Sequence, residues 1–356
     1  MTAQNGEGVY GDGVGVVTPL AHKLSQNGPL VKDSTGKPRS GVFYAGNGSL
    51  VTGKATMSYD VAPFEAAICR GRTKGTSYPT NDGVVNVPTT AAPGSNSRID
   101  IIYVQQREVS EGDASTAAVI GVVQGTAAAS PSAPAVPDGA LELARALVPA
   151  GVTATTSATI TQTSPFTAPV GAPVPFRSTT EMNAWTPLKG QQAVDLSTDI
   201  IHRHNGTAWK AWESDWITYT TTLGAASGTF AVGTGGSALN QTLYRYEQGR
   251  VRVRFRFVLG SSGASMGTAP TFTLPVAGDF ANAYQIISAQ GSLFNSSTTA
   301  YRALWLNRDN TQTARVQIVY LDIPTTPGGI NNPTATTPWT WAAGHALAGE
   351  LVYDPA

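Results

Sequence analysis

The densest cluster of potentially reactive side chains is the stretch "IHRHNGTAWKAW", residues 201–212. On a strand, alternation would put the imidazoles of His202 and His204 on one face, and two imidazoles so spaced can begin a metal site. No neighbouring carboxylate or cysteine at matching spacing completes the set, so a metal would need symmetry to bring several chains together. The plainer reading is a pair of surface histidines, and no metal or cofactor is expected. Asn205-Gly206 is a strong signal for a tight hairpin, because both residues tolerate positive φ. Trp209 and Trp212 would fall on opposite faces of a regular strand, so they cannot form one sugar-stacking platform. The stretch reads as a structural hairpin.

Other catalytic patterns are weaker. Nucleophilic catalysis needs a base beside the nucleophile, and the only histidines are His22, His202, His204 and His345. There is no G-x-S-x-G elbow. Glycan hydrolysis needs only a facing pair of carboxylates, and spacing alone cannot select a pair among 23 acidic residues. Gly6, Gly8 and Gly11 match the dinucleotide pattern G-x-G-x-x-G, which works only between a strand and a helix. Only five residues precede Gly6 and no convincing helix follows, so the match is accidental. Cys69, in the apolar run "FEAAICRG", reads as a buried structural thiol. The expectation is a protein that is not an enzyme.

Two patterns point to binding. "RVRVRFRF" alternates Arg250, Arg252, Arg254 and Arg256 with Val251, Val253, Phe255 and Phe257. The apolar set would enter a core, leaving the arginines on the other face. That face is a solvated sheet surface, an ion-pair seam between subunits, or a grip for an anionic polymer, since guanidinium holds phosphate bidentately. Trp305, with Tyr301 in the same strand-like run "TAYRALWLNRD", is a candidate for stacking on sugar. So are Trp339 and Trp341 in "TATTPWTWAAG", whose spacing allows both on one face of a loop. Packing beneath the loop would explain that pair equally well.

These residues need strands to position them, and the composition supplies strands. Of 356 residues, 41% are hydrophobic and only 13% charged, with a formal net charge of zero. Such a balance argues against a nucleic-acid partner, which would need a basic face. Gly 38 and Pro 23, beside abundant Thr, Ser and Val, suit short strands joined by turns. No apolar run approaches the roughly 20 residues that span a bilayer, so no membrane insertion is expected. Nothing at the start resembles a signal peptide, which leaves release in a particle or by lysis as the route to any role outside the producing cell.

The order of patterns predicts a mainly β, multi-domain chain. Residues 1–164 form a β-rich N-terminal domain. Residues 165–214 hold the Pro-rich linker "PFTAPVGAPVP" and a small β connector, and residues 215–356 form a C-terminal jelly-roll-like β-sandwich. No lysine follows Lys210, which marks the last zone compositionally. "LELARALV", residues 141–148, fits either a strand or a helical turn.

Several stretches together resemble a known family. "SNSRIDIIYVQQ", followed by "AAVIGVVQGTAAASPSAPAVPDGALELARALVPAG", looks like the amino-terminal portion of minor tail and baseplate proteins of tailed phages, as does "GVFYAGNGSLVTGKATMSYDVAPFEAAI" upstream. "FRSTTEMNAWTPLKGQQAVDLSTDIIHRHNGTAWKAW" is similar to a recurrent phage tail module ending in "NGTAW". "YRYEQGRVRVRFRFVLGSSGASMGTAPTFTLP" resembles the carboxy-terminal heads of minor tail proteins from phages of actinobacteria. The resemblance implies a virion component at the tail tip or baseplate, assembled as a homotrimer. Its N-terminal domain would attach to other tail proteins. Its head would contact host cell-wall or surface polysaccharide without catalysis. No catalytic residue carries over. A structural adaptor without receptor contact and a tail depolymerase are the rival expectations.

Overall fold

Apolar residues at every second position make pleated ribbons with one face to bury, and the computed structural model of the protein consists mainly of them: 49% strand against 6% helix. It describes residues 18–44, 46, 48–235, 241–280, 288–308, 314–322 and 329–356. The Gly6–Gly11 pattern lies outside the described residues. The chain divides into two compact units, Met1–Thr198 with Arg203–Trp209, and Asp199–His202 with Lys210–Ala356.

In the first unit the Arg98–Gln106 strand is flanked antiparallel by Ala118–Gln124 and Ala140–Val148, with Thr159–Gln162 beyond the latter. The ambiguous 141–148 segment is therefore strand. A register shift between Glu142 and Ala144 explains why its pattern fitted two periods: Leu141 and Leu143 are buried, and so are Ala144, Ala146 and Val148. A bulge moves the buried set by one residue. This sheet shares a core with the Val51–Gly53, Ser58–Val61 and Phe64–Gly71 strands through Tyr59, Val61, Phe64, Ile102 and Leu143. Buried Cys69 belongs to the last of these strands.

One charge network is sealed in that core. Asp100, fully buried, receives hydrogen bonds from Arg98 Nε at 2.7 Å, Tyr59 Oη at 3.0 Å and Thr89 Oγ1 at 2.7 Å. Arg98 also donates to the carbonyls of Ala91 and Thr90. Removing one partner of a buried pair costs about 3–5 kcal/mol, so this network gives the "RID" run a structural reason.

The first unit has a second, smaller core of Val31, Val174, Phe176, Met182 and Ala193, with Trp185 and Trp209 against it. The Val174–Phe176 and Gln192–Asp195 strands pair in parallel, joined across the short helix Thr179–Asn183. "STTE" starts that helix: Ser178 Oγ accepts from Glu181 N at 3.2 Å, while the Glu181 carboxylate accepts from Arg177 N at 2.8 Å. The 165–214 segment does not close this core by itself, because Val31 fills it and the Arg39 guanidinium stacks 4.7 Å from Phe176 and 4.6 Å from Trp185. Burial there pushes Arg39 down to about 10, still charged near neutrality.

In the second unit the antiparallel ladder runs Gln241–Glu247, Arg250–Val258, Ala346–Tyr353, Ser288–Asn295, Ala300–Arg308, Arg315–Asp322, Thr268–Thr273, Leu223–Ser227. Segment 217–227 joins its two ends. Ile217 and Thr218 pair with Tyr244 and Leu243, and Leu223–Ser227 pairs with 268–272. The ladder thus wraps its core, formed by Val251, Val253, Phe255, Phe257, Leu293, Leu304 and their neighbours.

Candidate functional site

The loop before the Ala346–Tyr353 strand carries Trp339, Trp341 and His345. Their rings form one cluster, with Trp339 and Trp341 centroids 5.6 Å apart and both indoles roughly edge-on to the imidazole at 6.2 and 6.1 Å. Both tryptophans are half-buried and pack against the second unit's core. Trp341 Nε1 donates to the carbonyls of Thr334 at 3.0 Å and Thr337 at 3.3 Å, which fixes the ring plane. His345 is buried, and its Nδ1 accepts from Ala342 N at 3.2 Å. Burial holds its pKa below the ordinary imidazole value.

Trp341 also walls a groove of about 610 Å³. The opposite sides come from two Gly- and Ser-rich turns, 227–229 and 259–268. Their backbones are stitched by Ala231 N to Ser265 O at 3.0 Å and Gly260 N to Val232 O at 2.7 Å. Gly263, at φ +71°, makes the tight bend that an L side chain would strain. Ser265 Oγ donates to Thr229 O at 2.6 Å. The exposed hydroxyls of Ser227, Thr229, Ser261 and Thr268 have no partner among the described residues. Among the described residues no lining side chain is charged. The volume lies within the range of small-ligand sites.

Tyr301 and Trp305 stand elsewhere, on the outer face of the Ala300–Arg308 strand, 63% and 50% exposed, while Leu304 and Leu306 point into the core. Tyr301 leans on Phe294 at 4.9 Å. Of the four sequence candidates, Trp339 and Trp341 share a ring contact, whereas Tyr301 contacts Phe294 and shares none with Trp305 among the described residues.

The arginine face is largely neutralised within the chain. Arg250 meets Asp354 at 2.9 Å, Arg252 meets Glu350 at 2.5 Å and Glu247 at 2.6 Å, and Arg254 meets Glu350 at 2.7 Å. The Arg254 and Arg245 guanidinium groups lie 4.4 and 4.9 Å from the Trp216 ring. Arg256 is exposed, opposite Gln241 and Ala348, without a carboxylate partner among the described residues.

His202 and His204 part company. His204 is buried, edge-on to Trp209 at 5.2 Å, with Nδ1 accepting from Gly206 N at 3.3 Å; burial lowers its pKa. His202 is half-exposed. Among the described residues no group of three or more His, Cys, Asp or Glu is placed to hold a metal ion. The Asn205 side chain closes the hairpin turn by accepting from the amides of Thr207 and Ala208, both at 2.9 Å.

A second cavity, of about 490 Å³, belongs to the first unit and is chemically different. It is mainly apolar, lined by Tyr44, Leu50, Phe64, Phe166 and Leu196, with Glu65 and Gln162 at its wall and Arg177 stacked 4.2 Å over Phe166. Neither cavity has a signature in the sequence. "GSSGASMGT" and "GAASGTF" carry only the signal of ordinary turns, and nothing local says that they face each other across Trp341. Among the described residues no helix is long and apolar enough to cross a membrane. Compared with known proteins, the chain matches no family model, no curated protein and no solved structure.

Proposed function

We propose that this chain is the receptor-binding protein of a phage tail. It acts as a homotrimer whose second unit holds host cell-surface glycan without cleaving it, while the first unit is held by other tail or baseplate proteins. The observation that carries the reading is the groove beside Trp341, where a fixed indole and exposed hydroxyls line one groove in the unit whose sequence resembles receptor-binding heads. Aromatic rings bind the C–H face of a sugar through their negative π surface, and hydroxyls meet its equatorial groups. Single contacts of this kind are weak, and three copies multiply them by avidity. The binding needs no cofactor, and the working location is the virion tail tip.

Fluorescently labelled full-length protein, applied to a panel of actinobacterial cells, tests this reading. Staining that disappears after periodate oxidation of surface sugars is the expected result. Cells that never stain would leave the adaptor role instead. Shortened chains after incubation with wall polysaccharide would replace binding by depolymerisation. A monomer by light scattering at micromolar concentration would remove the trimer.

A further inference from the structure

The groove beside Trp341 is uncharged in a particular way. Its single aromatic wall has its polar tip already engaged, since Nε1 donates to Thr334 O and Thr337 O, so the indole offers the groove carbon surface only. Its side-chain hydrogen-bonding capacity includes the hydroxyls of Ser227, Thr229, Ser261 and Thr268. A hydroxyl both donates and accepts, so it can meet another hydroxyl in either sense. Among the described residues no lysine, arginine or histidine lines the groove to compensate an anion, and no carboxylate lines it to compensate a cation. Drawing an unpaired charge out of water into such a site is costly, whereas a hydroxyl loses little when its hydrogen bonds are replaced.

The charged rival on the same unit is electrically closed. The cleft formed by Glu247, Arg250, Arg252 and Asp354 has each arginine already on a carboxylate. An incoming phosphate or carboxylate would have to displace Asp354, Glu247 or Glu350.

We infer that the second unit recognises a neutral pyranose glycan, bound with one ring face on Trp341 and its hydroxyls on the Ser/Thr rim, and that it discriminates against uronic-acid and phosphate-bearing sugars. This rests on the reading of that unit as a glycan binder and adds the ligand's charge class and the groove that enforces it. Selectivity then comes from the absence of a counter-charge: a carboxylate replacing a hydroxymethyl group would lose hydration and find no cation.

The test uses full-length protein and a panel of neutral disaccharides of glucose, galactose and mannose, each beside its uronic-acid counterpart, with tryptophan fluorescence and calorimetry as readouts. At least one neutral member should bind about tenfold or more tighter than its acidic counterpart. Its Kd should change less than about twofold between low salt and about 1 M, where screening shrinks to about 3 Å. Trp341→Ala should weaken binding by about tenfold or more, the equivalent of about 1.4 kcal/mol. Because Trp341 also packs on the core, Ala335→Trp serves as a second variant. Ala335 is an exposed lining residue, and a bulky ring there should block the groove while leaving the fold intact. Binding confined to acidic sugars, steeply salt-dependent and indifferent to both variants, would overturn the inference and leave the glycan-binding role standing. Cells that stain in a periodate-sensitive way without any panel sugar competing at saturating concentration would also overturn the neutral-ring assignment. No binding to sugars of either class, with no staining of cells, would remove the role itself.

Discussion

The same device occurs twice in this molecule, once in each unit. In the first unit His204 is buried edge-on to Trp209, its Nδ1 takes an amide hydrogen bond from Gly206, and Trp209 Nε1 donates to Met182 O at 3.1 Å. In the second, His345 is buried against Trp341, its Nδ1 takes one from Ala342, and Trp341 Nε1 donates to backbone carbonyls. In each pair the imidazole accepts from a turn amide, Gly206 or Ala342, and the indole donates to a backbone carbonyl of a neighbouring segment or the same loop. The pairs differ in what the free side of the indole meets. Trp209 meets Phe176 at 6.3 Å and Trp185 at 6.1 Å, so its surface completes a core. Trp341 meets Trp339 on one side and the groove elsewhere. A Trp–His pair is thus a support, and its neighbours decide whether it serves packing or binding.

The sharpest break of that comparison is Trp209→Ala. It should cost the first unit about 2 kcal/mol or more, somewhat less than a fully buried aromatic because Trp209 is partly buried, and leave the sugar affinity of the folded protein unchanged. A chain of two compact units need not unfold in one step, so native-state hydrogen exchange, resolved by unit, is the measurement. A loss of protection confined to the second unit would contradict it. Trp341→Ala should behave in the opposite sense, with its main effect on binding.

Acidification should affect both supports together. Burial depresses both imidazoles below 6.5, so each folded form binds fewer protons than the unfolded chain. The contribution is complete above about 6.5 and is lost as pH falls from there through the depressed folded values. Protonated Nδ1 can no longer accept, so the Gly206 and Ala342 amides should lose protection, corrected for intrinsic exchange, over that window. Sugar binding should weaken with the Ala342 amide and not with the Gly206 amide. His345→Gln should abolish the acid sensitivity of binding, and His204→Gln should leave it.

The two devices were unequally legible in the sequence. Asn205-Gly206 announces its turn locally, because its residue types are the ones that turn requires. The alternation of 250–257 likewise announces a strand, and its inward Val and Phe residues are buried as the pattern demands. By contrast, the split between His202 and His204 depends on Trp209 packing across from Phe176, a contact made by tertiary structure. In the sequence Tyr301 and Trp305 look like candidates of the same kind as Trp339 and Trp341, since sequence does not tell an outer strand face from a loop folded onto the core. The groove was invisible for the same reason. Its hydroxyls come from turns about 30 to 40 positions apart, and the ladder that brings them together closes through segment 217–227.

The smallest effect separates the arginine face from the groove. Arg254 lies directly opposite Glu350 and beside the Trp216 ring, yet its side chain is 54% exposed. Exposed ion pairs contribute about 0–1 kcal/mol, and an exposed cation–π contact about 0.5–1 kcal/mol. Arg254→Ala should therefore cost about 1 kcal/mol in the second unit, and Arg256→Ala, with no carboxylate to leave behind, less than about 0.5 kcal/mol. Neither should change the affinity for a neutral sugar. Glu350→Gln is the more informative partner, because it removes the carboxylate from Arg254, leaves Arg252 on Glu247 alone and makes the face more cationic. Weak, salt-sensitive binding of uronic-acid sugars should appear in that variant alone, measured by calorimetry at low ionic strength. If unmodified protein already bound them this way, the arginine strand would be a ligand surface in its own right and the division of labour between face and groove would fail.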